Sequence, residues 1–196
     1  MTENSFSNAG EIDLQKRAVE QNFKKICANM AAAAQRSGRD PKSVTLLAAT
    51  KTVCPEVINY AIELGVPCIG ENRVQEFLQK LPQLQGGARR DFIGHLQTNK
   101  AKLVAEFASE FQALDSLRVA AALDKRLQSL GRSLDVLVQV NTSNEESKFG
   151  LPPDEVEGFV QKLPAFSSLR VRGLMTLALF SEDAAKVRPC FVRLRE

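Results

Sequence analysis

The sequence lacks several features that would each define a class of protein. It has no tryptophan and a single tyrosine, Tyr60, so it offers few aromatic platforms on which nucleic acid bases could stack. Its net charge is only +3, and the basic residues are scattered rather than clustered. No apolar run approaches the roughly 20 residues that a membrane-spanning helix needs. We therefore expect neither nucleic acid nor a membrane as a partner.

Cysteine and histidine are also too sparse to suggest a metal centre. The only histidine is His95, and the four cysteines include no closely spaced pair. This pattern argues against a zinc site, and we expect no metal. The first ten residues are polar and do not resemble a signal peptide, so we expect reduced thiols and a cytoplasmic protein.

The chain does contain a repeated alternation of short apolar runs and amphipathic segments. A first amphipathic helix is predicted over about 11–37. Six apolar runs of strand length follow it, each succeeded by a helical pattern. These runs span residues 44–51, 66–70, 91–95, 111–114, 134–140 and 171–177. Strands that alternate with helices indicate an α/β protein with a parallel sheet.

The rhythm of this alternation favours a (β/α)8 barrel of the TIM type. No glycine-rich dinucleotide fingerprint follows the first strand, which weakens a Rossmann interpretation. A complete barrel needs eight strands and about 200–250 residues or more, whereas this chain has 196 residues and about six strands. We predict a flexible N-terminus over 1–10 and a single, incomplete barrel domain over 11–196, which includes the extra N-terminal helix.

Lys51 is the residue of greatest chemical interest, because it stands at the end of the first apolar run. Lysine is rarely buried, and burial favours its neutral, nucleophilic form. A partly buried lysine at a strand end could attack a carbonyl group. The alternative is an ordinary solvated lysine where a strand meets a loop.

Polar residues recur at the ends of the other predicted strands. In barrels, function gathers where strands end and loops begin. Asn72, His95 and Met175 occupy such positions. The simpler interpretations are a structural histidine for His95 and core packing for Met175.

Five motifs together resemble the pyridoxal phosphate homeostasis proteins, a family with a single barrel similar to the N-terminal domain of alanine racemases. The motifs are TK at 50–51, GENRVQE at 70–76, DFIGHLQTNK at 91–100, VQVNTSNEESKFG at 138–150 and GLMTLA at 173–178. They occur in the family's order and cover nearly everything after the first helix.

The resemblance implies a cofactor and a function. Members of the family hold pyridoxal 5′-phosphate (PLP) as a Schiff base on the lysine that corresponds to Lys51. Asn72 resembles the residue beside the cofactor ring, while His95 and Met175 would wall that ring. The implied function is intracellular PLP homeostasis by a monomeric carrier, with apo forms of PLP-dependent enzymes as recipients and no catalytic residues.

The sequence departs from the family at its C-terminus. The family's seventh and eighth strands carry the loops that cradle the phosphate, and neither is found before Glu196. We therefore expect a C-terminally truncated member that binds PLP weakly. Two alternatives stay open: a PLP-dependent enzyme such as an amino-acid racemase, and a remnant that binds no cofactor.

Overall fold

The computed structural model describes residues 9–145 and 147–196, and within them it contains six β-strands. Each strand overlaps one of the six predicted runs, so the prediction of about six strands is confirmed. The first strand is shorter than predicted and ends before Lys51. The bounds are β1 Leu47–Ala49, β2 Cys68–Glu71, β3 Arg89–Phe92, β4 Glu110–Leu114, β5 Leu134–Gln139 and β6 Leu169–Met175.

The same described residues hold seven α-helices, which alternate with the strands as the sequence predicts. The first helix begins at Ala9, inside the segment predicted as a flexible N-terminus, and residues 1–8 lie outside the described residues, so that expectation stays a prediction. The helices are α1 Ala9–Arg36, α2 Pro55–Glu63, α3 Val74–Lys80, α4 Ala101–Phe107, α5 Leu117–Leu130, α6 Val156–Val160 and α7 Ala184–Arg195.

The strands form one sheet in which spatial order follows chain order, from β1 to β6. β1 pairs with β2 in parallel, with Leu47 opposite Cys68, and β3, β4, β5 and β6 pair successively in the same sense. Parallel neighbours need long crossover connections, and helices provide them here. The α/β prediction with a parallel sheet is confirmed.

The described chain divides into two compact units. One holds the residues up to Gly70 together with Gln75–Arg89, and the other holds Glu71–Val74 with Arg90–Glu196. This division does not test the expectation of a single domain over 11–196, which stays a prediction.

In the first unit, α1 is joined to α2 by a polar cluster. The Tyr60 hydroxyl donates to Glu20 at 3.2 Å, and Lys24 donates to the same carboxylate at 2.6 Å. The hydrogen bond from Lys24, followed by the one from Tyr60, lowers the pKa of Glu20. Gly38 ends the helix at φ +68, as expected of a C-terminal glycine.

The second unit contains a continuous apolar core between its strands and helices. Phe92 and Phe111 pack with ring centroids 6.0 Å apart, and the inward residues of β5 are fully buried. The helix α5 contributes Leu123 and Leu127 at helical spacing, both with no exposed surface. This core fixes the ends of β3 to β6, from which the polar residues extend.

Candidate functional site

Lys51 lies in the first unit, in the turn that follows β1. Thr50 is buried, and both its backbone N–H (2.9 Å) and its hydroxyl (3.2 Å) donate to the carbonyl of Gly70 in β2. Thr52, on the other side of Lys51, has a left-handed backbone with φ +63. The end of β1 is therefore tied to its neighbour, and the chain turns sharply just beyond it.

Two side chains of α3 contact the peptide groups that flank Lys51. The buried Lys80 ammonium donates to the Thr50 carbonyl at 2.8 Å and to Glu76 at 2.8 Å. The Glu76 carboxylate also accepts from the Thr52 N–H at 2.7 Å. Sequence reasoning missed both residues, although they belong to or closely follow the GENRVQE motif.

The Lys51 side chain is exposed, so the expectation that it would be partly buried is wrong. The β1 strand ends at Ala49, and the turn carries Lys51 past the sheet instead of leaving it on a strand face. Within the described part of the chain, its amine has no hydrogen-bond or ion-pair partner. The amine is therefore available to a ligand.

Asn72 lies in the second unit, directly after β2, and packs tightly against Gly94. A Cβ atom on Gly94 would lie 2.2 Å from the Asn72 carbonyl oxygen, so only glycine fits there. The Asn72 side-chain oxygen, Oδ1, is buried and has no hydrogen-bond partner among the residues that the structure describes. A buried polar atom without a partner costs about 1–3 kcal/mol, and a bound ligand could remove that cost.

His95 stacks on Phe149 from the loop after β5. The ring centroids are 3.8 Å apart and the rings lie within 10° of parallel. The His95 Nδ1 atom is 3.6 Å from Asp115, which is longer than a hydrogen bond. The side chain is one-third exposed, so a flat, partly open surface lies at the ends of β3 and β4. Sequence reasoning missed this contact with Phe149.

Met175 ends β6 and is partly buried against the apolar core of the second unit. Its carbonyl accepts from the Val140 N–H at 2.8 Å. These contacts agree with the simpler interpretation of Met175 as a core residue. Its contact with a cofactor stays a prediction.

The loop after β5 is held by several polar contacts. Lys148 donates to the Ala178 carbonyl at 2.7 Å and forms an ion pair with Glu145. The hydrogen bond from Lys148 is the main cause of the lowered pKa of Glu145. The buried Thr142 hydroxyl lies 2.8 Å from that of Thr176, a pair that sequence reasoning did not identify.

The structure thus brings Asn72 close to Gly94, the neighbour of His95, and brings His95 to Phe149 and Asp115, all within the second unit. Residues 9–145 and 147–196 contain no cluster of three side chains suited to a metal ion. No helix in that part of the chain is long and apolar enough to cross a membrane.

Comparison with known proteins places the fold in a defined class. A family model described as alanine racemase, N-terminal domain, matches residues 21–194. An alanine racemase of Clostridium difficile shares the fold, with a TM-score of 0.63 at 14% identity over 76% of this chain and 39% of that one. These matches define a barrel protein of the alanine racemase type.

More similar relatives identify the family. A pyridoxal phosphate homeostasis protein of Aquifex aeolicus is 36% identical over 177 residues, which cover 90% of this chain and 78% of that protein. The Escherichia coli K12 protein of the same name is 37% identical over 163 residues, which cover 81% of this chain and 70% of that one. The chain belongs to the pyridoxal phosphate homeostasis protein family, and the resemblance seen in the sequence is confirmed.

Solved structures agree with this assignment. A protein of unknown function from Bifidobacterium adolescentis has a TM-score of 0.85 at 32% identity, covering 93% of this chain and 78% of that one. PipY of Synechococcus elongatus, in a structure with PLP bound, has a TM-score of 0.72 at 30% identity over 86% of this chain and 78% of that one.

Proposed function

We propose that this protein binds PLP as a Schiff base on Lys51 and acts as a carrier in cytoplasmic PLP homeostasis. The observation that carries the proposal is the exposed Lys51 side chain in the turn after β1, whose amine has no hydrogen-bond or ion-pair partner among the described residues. When bound, PLP supplies an aldehyde carbon, with which an unprotonated amine forms a carbon–nitrogen double bond while the aldehyde oxygen leaves as water. PipY, which is 30% identical to this chain, has a solved structure with PLP bound, and this supports PLP as the ligand.

The residues of the second unit fit the other parts of such a cofactor. The buried amide oxygen of Asn72 has no partner within residues 9–145 and 147–196, and rotation of the amide by half a turn would put its NH2 group in that position. The amide can therefore donate to the phenolic oxygen of PLP. The flat His95 and Phe149 pair suits the face of a pyridine ring. Met175 completes the wall that we propose for the ring.

A carrier role fits this chain better than racemisation. A two-base racemase would need a second proton-transferring group opposite the lysine, and a tyrosine is the group expected from the related fold. The only tyrosine, Tyr60, donates its hydroxyl to Glu20 on α1. Burial, and then the bond to Glu20, raises the pKa of Tyr60, so the phenol stays protonated at neutral pH and does not supply the phenolate that a base would need.

The main experiment is a titration of the purified protein with PLP, followed by visible absorbance. Bound PLP should give a yellow band, and borohydride reduction followed by peptide mapping should place the label on Lys51. Lys51→Met should abolish the band. Lys125→Met, which removes an exposed lysine from α5, should retain it. A band that survives in Lys51→Met, or a label on another lysine, would contradict the proposal.

The same preparation tests the finer parts of the proposal. The affinity in the titration tests the expectation of weak PLP binding. Reactivation of an apo PLP-dependent enzyme by the loaded protein tests the carrier role, and light scattering tests the expected monomer. Exchange of an amino acid's α-proton in deuterated water would indicate a racemase instead. Absence of any band would indicate a remnant that binds no cofactor.

A further inference from the structure

We propose that Glu76 and Lys80 form a positioning pair that fixes the peptide groups on both sides of Lys51 and thereby sets the direction of the Lys51 amine. This inference rests on the proposed role of Lys51 in PLP binding. It concerns residues of the first unit only. Neither side chain is proposed to touch the cofactor, so both act through the backbone of the Lys51 turn.

The first observation that supports a positioning pair is the backbone conformation of Thr52. Among the described residues, only Thr52 and Asn144 combine a side chain with a left-handed backbone, and Thr52 has φ +63. Asparagine tolerates this conformation, whereas it strains a β-branched residue such as threonine. A strained residue persists only where its surroundings hold it. The 2.7 Å hydrogen bond from the Thr52 N–H to Glu76 is one such restraint.

Lys80 supplies the restraint on the other side of Lys51. It is only 8% exposed, although lysine is among the residues least often buried. Its ammonium group donates at 2.8 Å both to the Thr50 carbonyl and to Glu76. One ion pair on α3 therefore contacts the residue before Lys51 and the residue after it.

The consequence for Lys51 follows from the geometry of the chain. Its side chain leaves a Cα atom that lies between two restrained peptide groups. Relaxation of Thr52 to a negative φ would rotate the second peptide group and redirect the side chain. A misplaced nucleophile can react on the order of tenfold to a hundredfold more slowly with a partner that must bind in one orientation.

The competing interpretation is that the pair only attaches α3 to the end of β1. The test must therefore separate orientation from stability. The main variant combines Glu76→Leu with Lys80→Met, because removing both charges avoids leaving one buried without its partner. Lys24→Met is the matched control, since it breaks another four-residue-spaced ion pair in the same unit, on α1.

Two reactions of Lys51 are compared in each variant. The first is the rate at which the PLP absorbance band appears. The second is acetylation of Lys51 by acetic anhydride without PLP, followed by mass spectrometry, which needs no defined orientation. In the main variant we expect band formation to slow by about tenfold or more while acetylation stays at the wild-type rate. The control should change neither.

Two further variants distinguish a positioning role from a structural one. Glu76→Gln keeps an oxygen that can accept from Thr52, so it should retain most of the wild-type rate. Adding Thr52→Gly to the main variant should recover part of the lost rate, because glycine adopts a positive φ without strain. A purely structural attachment predicts no recovery, since an added glycine would only loosen the turn further.

The outcomes separate the two proposals. If the wild-type protein forms no band on Lys51, the proposed function fails and the positioning role fails with it. If the wild type forms the band and the main variant forms it equally fast, only the positioning role is refuted. A loss of both reactions that Thr52→Gly does not reverse also refutes it, since the pair would then act through stability alone.

Discussion

Gly94→Ala is expected to disturb the candidate site by adding one methyl group. The new Cβ atom would lie 2.2 Å from the carbonyl oxygen of Asn72 and 2.6 Å from its Cα atom. Both contacts are about 1 Å shorter than ordinary van der Waals packing, and both involve backbone that cannot rotate away. Overpacking of this kind costs about 1–3 kcal/mol, and a backbone clash belongs at the upper end.

The perturbation is measured by thermal unfolding and by the PLP titration. For a protein of this size, about 3 kcal/mol lowers the melting temperature by about 6–12 °C. Because the clash displaces Asn72, the variant should also bind PLP more weakly under conditions where it remains folded. Gly158→Ala is the matched control. Gly158 lies in α6 with no atom near its added Cβ, and alanine favours a helix.

The reasoning is refuted if Gly94→Ala melts at the wild-type temperature. The backbone at the ends of β2 and β3 would then be farther apart than the structure shows. Normal stability with weakened PLP binding would also contradict the argument, because the clash acts on the backbone first. If Gly158→Ala lost as much stability as Gly94→Ala, thermal unfolding would not be reporting the contact between the added Cβ atom and Asn72.

Two further predictions concern the scaffold around the site. Tyr60 should ionise above its ordinary pKa of 10.0 in an ultraviolet titration, and Glu20→Gln should lower that midpoint. Because the pKa of Tyr60 is raised by folding, the stabilisation that the protonated Tyr60 gives the folded protein is complete below pH 10. This stabilisation disappears as the pH rises through the pKa of Tyr60 in the folded protein. A titration midpoint at or below 10.0 would contradict the prediction. Arg132→Met should lower the free energy of unfolding in urea by about 1.5–3 kcal/mol, because the guanidinium donates to three carbonyls at the end of α4. Arg126→Met, which breaks a half-exposed ion pair with Glu106, should cost less than about 1 kcal/mol, and an equal loss in both variants would refute the argument.

The alternation of strands and helices could be predicted from the sequence because local patterns determine it. Apolar runs of strand length, and apolar residues that recur three and four positions apart on a helix, are visible without any tertiary information. The bounds of β1 could not be predicted. Its run continues to Lys51, but the strand ends at Ala49 and the chain turns at the left-handed Thr52, whose N–H donates to Glu76. That restraint comes from a residue distant in sequence.

The candidate site was predictable only in part, for a related reason. Lys51, Asn72 and His95 stand at strand ends, and their positions in the motifs point to them directly. Phe149 lies 54 residues beyond His95, and no periodicity links the two rings that stack at 3.8 Å. The exposure of Lys51 was also missed, because an apolar run suggests burial and gives no sign of where the turn leaves the sheet.

The exposure of Lys51 changes the physical question about its reactivity. A buried amine owes its nucleophilic form to desolvation, whereas an exposed amine gains little from that source. What the structure offers instead is control of position. The two flanking peptide groups are held by Glu76 and Lys80, and the strained Thr52 conformation is maintained against relaxation. For the carrier role that we propose, an accessible amine held in one direction would capture PLP without making the bond difficult to reverse.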